Sequence, residues 1–168
     1  MSLYDQYSSK PSLSSRKLKN NDGYDVGEET QLVHWKIKNE TFSLDKRYSP
    51  INYLGSGAYG VVCAAYDHSL QDYVAIKKCK KIFSSRTMAK RTLREMRILR
   101  LLDHENVIKI KDIADAVNRK TFSEVYVVFE LMETDLAVII RSSQLLRDQH
   151  IQFFMYQLLC GLQYLHSN

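Results

Sequence analysis

The sequence predicts an α+β fold, and three observations lead to this prediction. Apolar and β-branched runs of strand length follow one another between residues 48 and 130. One segment of helical periodicity, "SSRTMAKRTLREMRILRLL", interrupts them, and two further helical segments follow residue 133. Because strands dominate one half and helices the other, the pattern favours an α+β layout over alternating βαβ units.

Composition divides the chain into four parts. Residues 1–31 are rich in Ser, Lys, Asn and Asp and predict a mobile tail. Residues 32–47 alternate apolar and polar positions around a "KNE" turn and predict a hairpin. Residues 48–132 hold five strands and the first helix, and residues 133–168 hold a linker followed by helices.

Two packing predictions accompany this division. We expect Trp35 and Phe42 of the hairpin to pack against the rest of the domain. In the last helix, apolar residues recur every three or four positions and predict a core-facing stripe. Because no further helix follows in the sequence to cover it, we expect this stripe to be partly exposed. Its members are Ile151, Phe154, Leu158, Leu162 and Leu165.

Charge and cysteine usage limit the possible functions. The net charge is +5, but residues 77–111 carry twelve Lys or Arg against three acids. This pattern favours a solvated helix face over a nucleic-acid site. Three cysteines without metal-ligand spacing indicate reduced, buried thiols in an intracellular protein. The sequence shows no apolar run long enough for a membrane span and no secretory h-region.

The stretch "LGSGAYGVV", residues 54–62, spaces its glycines as G-x-G-x-x-G at Gly55, Gly57 and Gly60. A dinucleotide fold would place a helix after these glycines, whereas a strand-like run, "VVCAAY", follows here. A P-loop would need Lys and Ser or Thr after the last glycine. The glycines therefore join two strands, either as a phosphate-covering turn or as a plain hairpin.

The next strand and the helix after it favour the phosphate interpretation. In "VAIKK", alternation places Val74 and Ile76 on one face and Ala75 and Lys77 on the other. At 100° per residue, the helix places four apolar side chains within about 60° of Glu95: Met88, Ile98, Leu99 and Leu102.

A carboxylate in such an apolar stripe would be buried and would need a cation. We expect Lys77 to be that cation, with Arg91 as the alternative partner of Glu95 and a solvated edge-strand lysine as the alternative role of Lys77.

Together, "GSGAYGVV", "VAIK", "LREMRIL" and "VYVVFELMETDL" resemble the N-terminal half of eukaryotic protein kinases, whose glycine loop and "VAIK" strand are established motifs. "RYSPINYLGSGAYGVV", "METDL" and "QLLCGLQYLHS" are similar to the mitogen-activated protein (MAP) kinases in particular. The resemblance covers roughly residues 35–168. It implies a kinase N-lobe with a five-stranded antiparallel sheet and one helix, followed by the first helices of a C-lobe.

The resemblance also implies an ATP pocket. Its cover would be formed by Leu54, Gly55, Ser56, Gly57, Ala58, Tyr59, Gly60 and Val62. Ala75 would contact adenine, and Lys77, positioned by Glu95, would contact the α- and β-phosphates. The linker would contribute Glu130, Met132 and Asp135, and Phe129 would guard the back of the pocket.

Partners are implied by the same resemblance. Arg91 and Arg94 match arginines that receive a phosphothreonine. Ile139, Leu145 and His150 match positions of a docking groove for linear motifs of activators and substrates, with plain helix packing as the alternative. The implied partners are ATP with Mg²⁺, an upstream MAP kinase kinase and protein substrates, in the cytoplasm or nucleus.

Two motifs of kinase chemistry do not occur in the 168 residues: the catalytic loop H-R-D-x-x-x-x-N and the Mg²⁺-binding D-F-G. We therefore expect this chain alone to lack kinase activity. Two interpretations stay open at this point. Either the sequence is the ATP-binding part of a MAP-kinase-type enzyme, or it is a non-catalytic module that binds docking-motif partners.

Overall fold

A small N-terminal sheet and a larger sheet make up the strands of the computed structural model, which describes residues 12–13, 32–57, 60–114 and 123–167. The small sheet contains β1 (Ser12–Leu13), β2 (Leu32–Ile37) and β3 (Glu40–Asp45) in that order. The large antiparallel sheet contains β4 (Tyr48–Gly57), β5 (Gly60–Asp67), β6 (Asp72–Cys79), β7 (Ile110–Ala114) and β8 (Val125–Glu130). Its strand order is β4-β5-β6-β8-β7.

The described residues also form three helices: α1 (Arg86–Leu101), α2 (Leu136–Arg141) and α3 (Asp148–Ser167). The Ser85 side chain caps α1 by accepting a hydrogen bond from the Met88 amide at 3.1 Å. The predicted α+β class, five-stranded sheet, N-terminal hairpin and helices are confirmed. Of the predicted tail, only Ser12 and Leu13 are described, and they pair with His34 and Val33 of β2.

The large sheet carries a hydrophobic cluster on each face. On one face, Val74, Ile76 and Val128 are fully buried beneath the β2–β3 hairpin. On the other, Val125, Val127 and Phe129 pack with apolar residues of α1. The predicted alternation along β6 is therefore correct, because period-2 side-chain placement depends only on local strand geometry.

The hairpin is held against the sheet by two aromatic side chains and two polar anchors. Phe42 is fully buried, and Trp35 packs against the same cluster, as the sequence predicts. The Lys78 ammonium donates to the Thr41 carbonyl at 2.6 Å, and the Tyr126 hydroxyl accepts from the Ser43 amide at 3.1 Å. The side chains of β6 and β8 thus fix the hairpin's position.

The edge strands of the large sheet are joined at one end by a charged cluster. Arg47 forms two hydrogen bonds to the buried carboxylate of Asp67, at 2.8 and 2.7 Å. Its third nitrogen, Nη1, donates to Asp112 of β7 at 2.7 Å, and the Tyr48 hydroxyl of β4 donates to the same oxygen at 2.8 Å. Because β4 and β7 are opposite edges of the sheet, these side-chain contacts link the two edges at this end.

The apolar stripe predicted for the last helix is exposed rather than packed. Ile151, Leu158, Leu162 and Leu165 are 43–63% exposed, and Phe154 is half-buried. The predicted exposure is confirmed, but the prediction that this face turns to the core is wrong.

A different face of α3 makes its packing contacts. Gly161 is buried so closely against the polypeptide after α1 that a Cβ atom there would lie 3.0 Å from the Asn106 carbonyl oxygen. The Tyr164 hydroxyl accepts from the Asp103 amide at 2.9 Å, and its ring stacks on His104. The helix is therefore positioned by a polar turn, which apolar periodicity does not detect.

Candidate nucleotide site

The sheet register gathers five of the predicted site residues, from four strands, into two neighbouring rows. Gly55 pairs with Val62, and Val62 pairs with Lys77, so these residues share one row. Ala75 lies in the next row, opposite Phe129 of β8. Directly paired residues point to the same face of a sheet. The face toward α1 therefore combines a glycine, small apolar side chains and one lysine.

The helix α1 supplies the carboxylate that pairs with that lysine. The Lys77 ammonium lies 2.5 Å from Oε1 of Glu95. The expected pairing of Glu95 with Lys77 is thus present in the structure. The expected burial is wrong, since the Glu95 side chain is 44% exposed and that of Lys77 is 23% exposed.

The reason for this difference is the orientation of α1. The side of the helix turned toward the sheet centres on Thr92, Met96 and Leu99, whereas Ile98 is 47% exposed. Glu95 lies at the border of this packed side, next to Met96. Its carboxylate therefore reaches Lys77 while keeping contact with solvent.

A buried thiol lies beside the ion pair. Cys79 follows Lys77 on the same face of β6 and is 4% exposed. Burial raises the pKa of the Cys79 thiol, and the positive charge of Lys77 only partly offsets that rise. The thiol is thus protonated at neutral pH and leaves the charge of the site to Lys77 and Glu95.

The three glycines of the turn occupy two kinds of surroundings. A Cβ atom on Gly55 or Gly57 would meet no atom within 4 Å, so open space lies beside both. A Cβ on Gly60 would lie 2.0 Å from the Lys78 carbonyl oxygen, so only glycine fits there. Gly60 is required for strand packing, whereas Gly55 and Gly57 leave room next to the strand. Ala58 and Tyr59 lie outside the described residues.

The remaining predicted pocket residues differ in their surroundings, and Glu130, which pairs with Val74, lies on the hairpin face rather than on the face of Lys77. Phe129 is 8% exposed, whereas Leu54 and Met132 are 46% and 56% exposed. Glu130 ends β8 and is half-buried. Asp135 caps α2, its Oδ1 accepting from the Val138 amide at 2.8 Å. One carboxylate oxygen of Asp135 is therefore already used within the chain.

Sequence reasoning missed one residue of this face. Val127 pairs directly with Lys77 and contributes to the floor beneath it. The signal was available, because alternation in "VYVVFE" places Val125, Val127 and Phe129 on one face.

The residues predicted to bind phosphothreonine and docking motifs lie on exposed surfaces. Arg91 and Arg94 are exposed on α1. Ile139 is half-buried in α2, Leu145 is 78% exposed, and the exposed His150 accepts from the Arg147 amide through Nδ1 at 3.3 Å. Their predicted roles stay predictions.

Neither a cluster of metal ligands nor a membrane-spanning helix occurs among the described residues. Within residues 12–13, 32–57, 60–114 and 123–167, no three His, Cys, Asp or Glu side chains lie together as metal ligands would. No helix in the same ranges has the length and apolar character of a transmembrane segment.

A glycine turn between antiparallel strands, a strand lysine and a helix glutamate paired with it define the N-terminal part of a protein kinase domain. Residues 48–168 match the family model described as "Protein kinase domain". The chain therefore belongs to the protein kinase family.

Within that family the chain is similar to MAP kinases. It is 47% identical to mitogen-activated protein kinase 13 of Arabidopsis thaliana over 89% of this chain and 41% of that protein. It is 50% identical to the mitogen-activated protein kinase homolog NTF6 of Nicotiana tabacum over 83% of this chain and 38% of that protein. It is 52% identical to mitogen-activated protein kinase 4 of Oryza sativa subsp. japonica over 75% of this chain and 34% of that protein. The chain thus spans 34–41% of the length of these relatives.

Proposed function

We propose that this chain is the ATP-binding part of a MAP-kinase-type enzyme that phosphorylates proteins on Ser and Thr. The observation that carries the proposal is the ion pair of Lys77 and Glu95 on the face beside Gly55 and Val62. In kinases such a pair holds the lysine as a positive charge for the α- and β-phosphates of ATP.

The surroundings of Lys77 fit a nucleotide. Gly55 and Gly57 have open space where a side chain would stand, so phosphate oxygens can approach the backbone closely. Ala75 and Val62 offer a small apolar surface for adenine, closed at the back by Phe129. We assign the linker backbone at Glu130 and Met132 to adenine and the side chain of Asp135 to the ribose.

The proposal extends to partners and place of action. ATP with Mg²⁺ would be the phosphate donor, and a MAP kinase kinase and protein substrates would be the partners, inside the cell. Arg91 and Arg94 would receive a phosphothreonine, and Ile139, Leu145 and His150 would contact linear motifs. The 168 residues contain no H-R-D or D-F-G motif, so we propose that this chain alone does not transfer phosphate.

An acyl-phosphate derivative of ATP tests the nucleotide site directly. The Lys77 amine attacks the acyl carbonyl, an amide forms and ATP leaves, so even a weakly bound nucleotide marks the lysine. We expect Lys77 to be labelled faster than the exposed Lys109, and excess ATP to suppress labelling of Lys77 only. Equal labelling of both lysines, or labelling insensitive to ATP, would contradict the proposed site.

Matched variants separate positioning from general charge. Glu95→Gln is expected to slow labelling of Lys77 about tenfold, because the ammonium is no longer held in place. Glu105→Gln, an exposed control with the same chemical change, should leave labelling unchanged.

Phosphotransfer by the chain itself is measured with a generic basic protein substrate and radiolabelled ATP. We expect no signal above background. A signal that Lys77→Met abolishes would show that the chain alone is an active kinase and would refute this part of the proposal.

A further inference from the structure

A cavity of about 630 Å³ lies beside the glycine-turn ends of β4 and β5, between the hairpin turn and the start of α1. Its apolar lining includes Ile37, Tyr53, Val61 and Met88. Val61 belongs to the cluster covered by the hairpin, whereas its neighbour Val62 faces Lys77. The cavity shares Ser56, Gly57 and Gly60 with the predicted cover of the nucleotide site, but Lys77 and Glu95 do not line it.

Three segments that are distant in sequence form this cavity. The hairpin turn contributes residues 37–40, the strands beside the glycine turn contribute residues of β4 and β5, and the connection from β6 into α1 contributes Lys80, Lys81 and Ser84. A volume of several hundred Å³ with an apolar lining and a few polar groups is typical of small-ligand sites.

The charged groups at this cavity are mostly positive. Lys38, Lys80 and Lys81 line it together with a single acid, Glu40, for a net charge of +2. Glu40 forms an ion pair with Lys80. Lys38 lies over the ring of Tyr53, 3.6 Å from its centroid. Lys81 has no ion pair with any carboxylate of the described residues, so its charge is available to a ligand.

The backbone at two of these lysines is unusual. Lys38 and Lys81 have φ angles of 53° and 48°, and they are two of the three non-glycine residues with positive φ in the described ranges. This conformation is disfavoured for side chains other than Gly, Asn and Asp, and such residues concentrate at functional sites. Here both line one cavity and both carry a positive charge.

We propose that this cavity binds a phosphate monoester carried on an apolar, preferably aromatic, body. The net +2 charge matches the dianion of a monoester, and the apolar wall of Ile37, Val61 and Met88 matches its hydrocarbon part. Lys81 would supply the charged contact to the phosphate, and Ser84 a hydroxyl. The proposal does not depend on ATP binding, because neither Lys77 nor Glu95 lines the cavity.

The test is a titration of the ¹⁵N-labelled chain with phenyl phosphate, followed by the amide signals of Asn39, Lys81 and Ser84. We expect saturable shifts at these residues, and weaker binding of inorganic phosphate, which lacks the apolar body. Inorganic phosphate binding as tightly as phenyl phosphate, or shifts spread over all surface lysines, would overturn the proposal.

Variants test the role of Lys81. Lys81→Gly is expected to weaken phenyl phosphate binding about tenfold, as expected for loss of one charged contact. Because glycine tolerates this φ angle, the variant should fold and melt close to the parent. Lys46→Gln removes an exposed charge away from the cavity and should leave binding unchanged. An equal loss in both variants would overturn the assignment.

Two further experiments show where phenyl phosphate binds and whether the natural ester is a free molecule or part of a protein. Lys77→Met should bind phenyl phosphate as the parent does, and loss of binding there would place the ligand at the nucleotide site and refute the cavity. A phosphotyrosine peptide that binds more tightly than phenyl phosphate would support the proposal with a protein as the source. Equal affinity would support it with a free ester as the source.

Discussion

The large sheet buries its apolar side chains, whereas the two C-terminal helices leave many of theirs exposed to solvent. In the sheet, Val74, Ile76 and Val128 are fully buried between strands and hairpin. In α3, the residue that is buried among those described is Gly161, and Leu158 and Leu159 are 63% and 57% exposed. We therefore expect most of the folding free energy of this chain to come from the sheet and its hairpin, and little of it from α3.

The strongest test of this difference compares one aliphatic truncation in each region. Ile76→Ala should lower the free energy of unfolding by about 3 kcal/mol, because a fully buried side chain leaves a cavity. Leu158→Ala, at a 63% exposed position, should change it by less than about 0.5 kcal/mol. Urea unfolding followed by circular dichroism measures both, and similar losses in the two variants would contradict the comparison.

The charged cluster at the sheet edge should be nearly as important as the core. Burial tends to raise the pKa of Asp67, but hydrogen bonds from Arg47 and from the Leu70 and Ser69 amides outweigh it and hold this pKa below its ordinary 3.8. Asp67→Asn should therefore cost about 3 kcal/mol at pH 7, because it breaks a buried ion pair.

The stabilisation by Asp67 should depend on pH, and the direction of its pKa shift determines whether acid weakens or strengthens it. Since the pKa of Asp67 is lower in the folded than in the unfolded chain, its stabilisation is complete above about pH 4. It is lost as the pH falls through the folded-state pKa. Unfolding at pH 7 and at pH 3 should show the gap between parent and Asp67→Asn narrowing in acid. The exposed Asp72, mutated to Asn, serves as the control, and a gap that widens in acid would disprove the assignment.

A smaller effect separates the glycines of the turn. Gly60→Ala should lower the free energy of unfolding by about 2 kcal/mol, because its methyl group would collide with the Lys78 carbonyl. Gly57→Ala, with open space beside it, should change stability by less than about 0.5 kcal/mol and instead hinder nucleotide approach. Thermal melting distinguishes the two, and equal destabilisation would show that Gly57 also serves packing.

The smallest expected effect concerns the candidate site itself. Glu95→Gln should change the free energy of unfolding by less than about 0.5 kcal/mol, since the Lys77–Glu95 pair is partly exposed. A loss above about 2 kcal/mol in urea would mean that this pair holds α1 to the sheet. A near-neutral result would agree with a role in function rather than in folding.

A feature of this structure could be predicted from the sequence when it depends on neighbouring residues, and could not when it depends on contacts between distant ones. The faces of residues 74–77 followed from strand alternation alone, and the structure agrees with them. The burial of Glu95 was predicted wrongly, because the rotation of α1 is set by Met96 and Leu99 packing on residues far away in sequence.

The packed side of α3 illustrates the same limit. Apolar residues surround much of this helix, so their period indicates a helix without selecting its inner face. The contacts that position it come from the polar residues Asp103, His104 and Asn106. The cavity could not be predicted from the sequence either, because it brings residues 37–40 together with residues 80–88 across the hairpin interface.

The anchors of the N-terminal hairpin have a consequence for the order of folding during synthesis. The hairpin is synthesised before the residues that anchor it. Thr41 accepts a hydrogen bond from Lys78, which is 37 residues later, and Ser43 donates one to Tyr126, which is 83 residues later. Contacts that span such distances form slowly. We expect the nascent hairpin to stay undocked until β8 emerges, and pulsed hydrogen exchange on stalled chains should detect its protection only then. A segment made before the large sheet thus docks only after the later strands have completed that sheet.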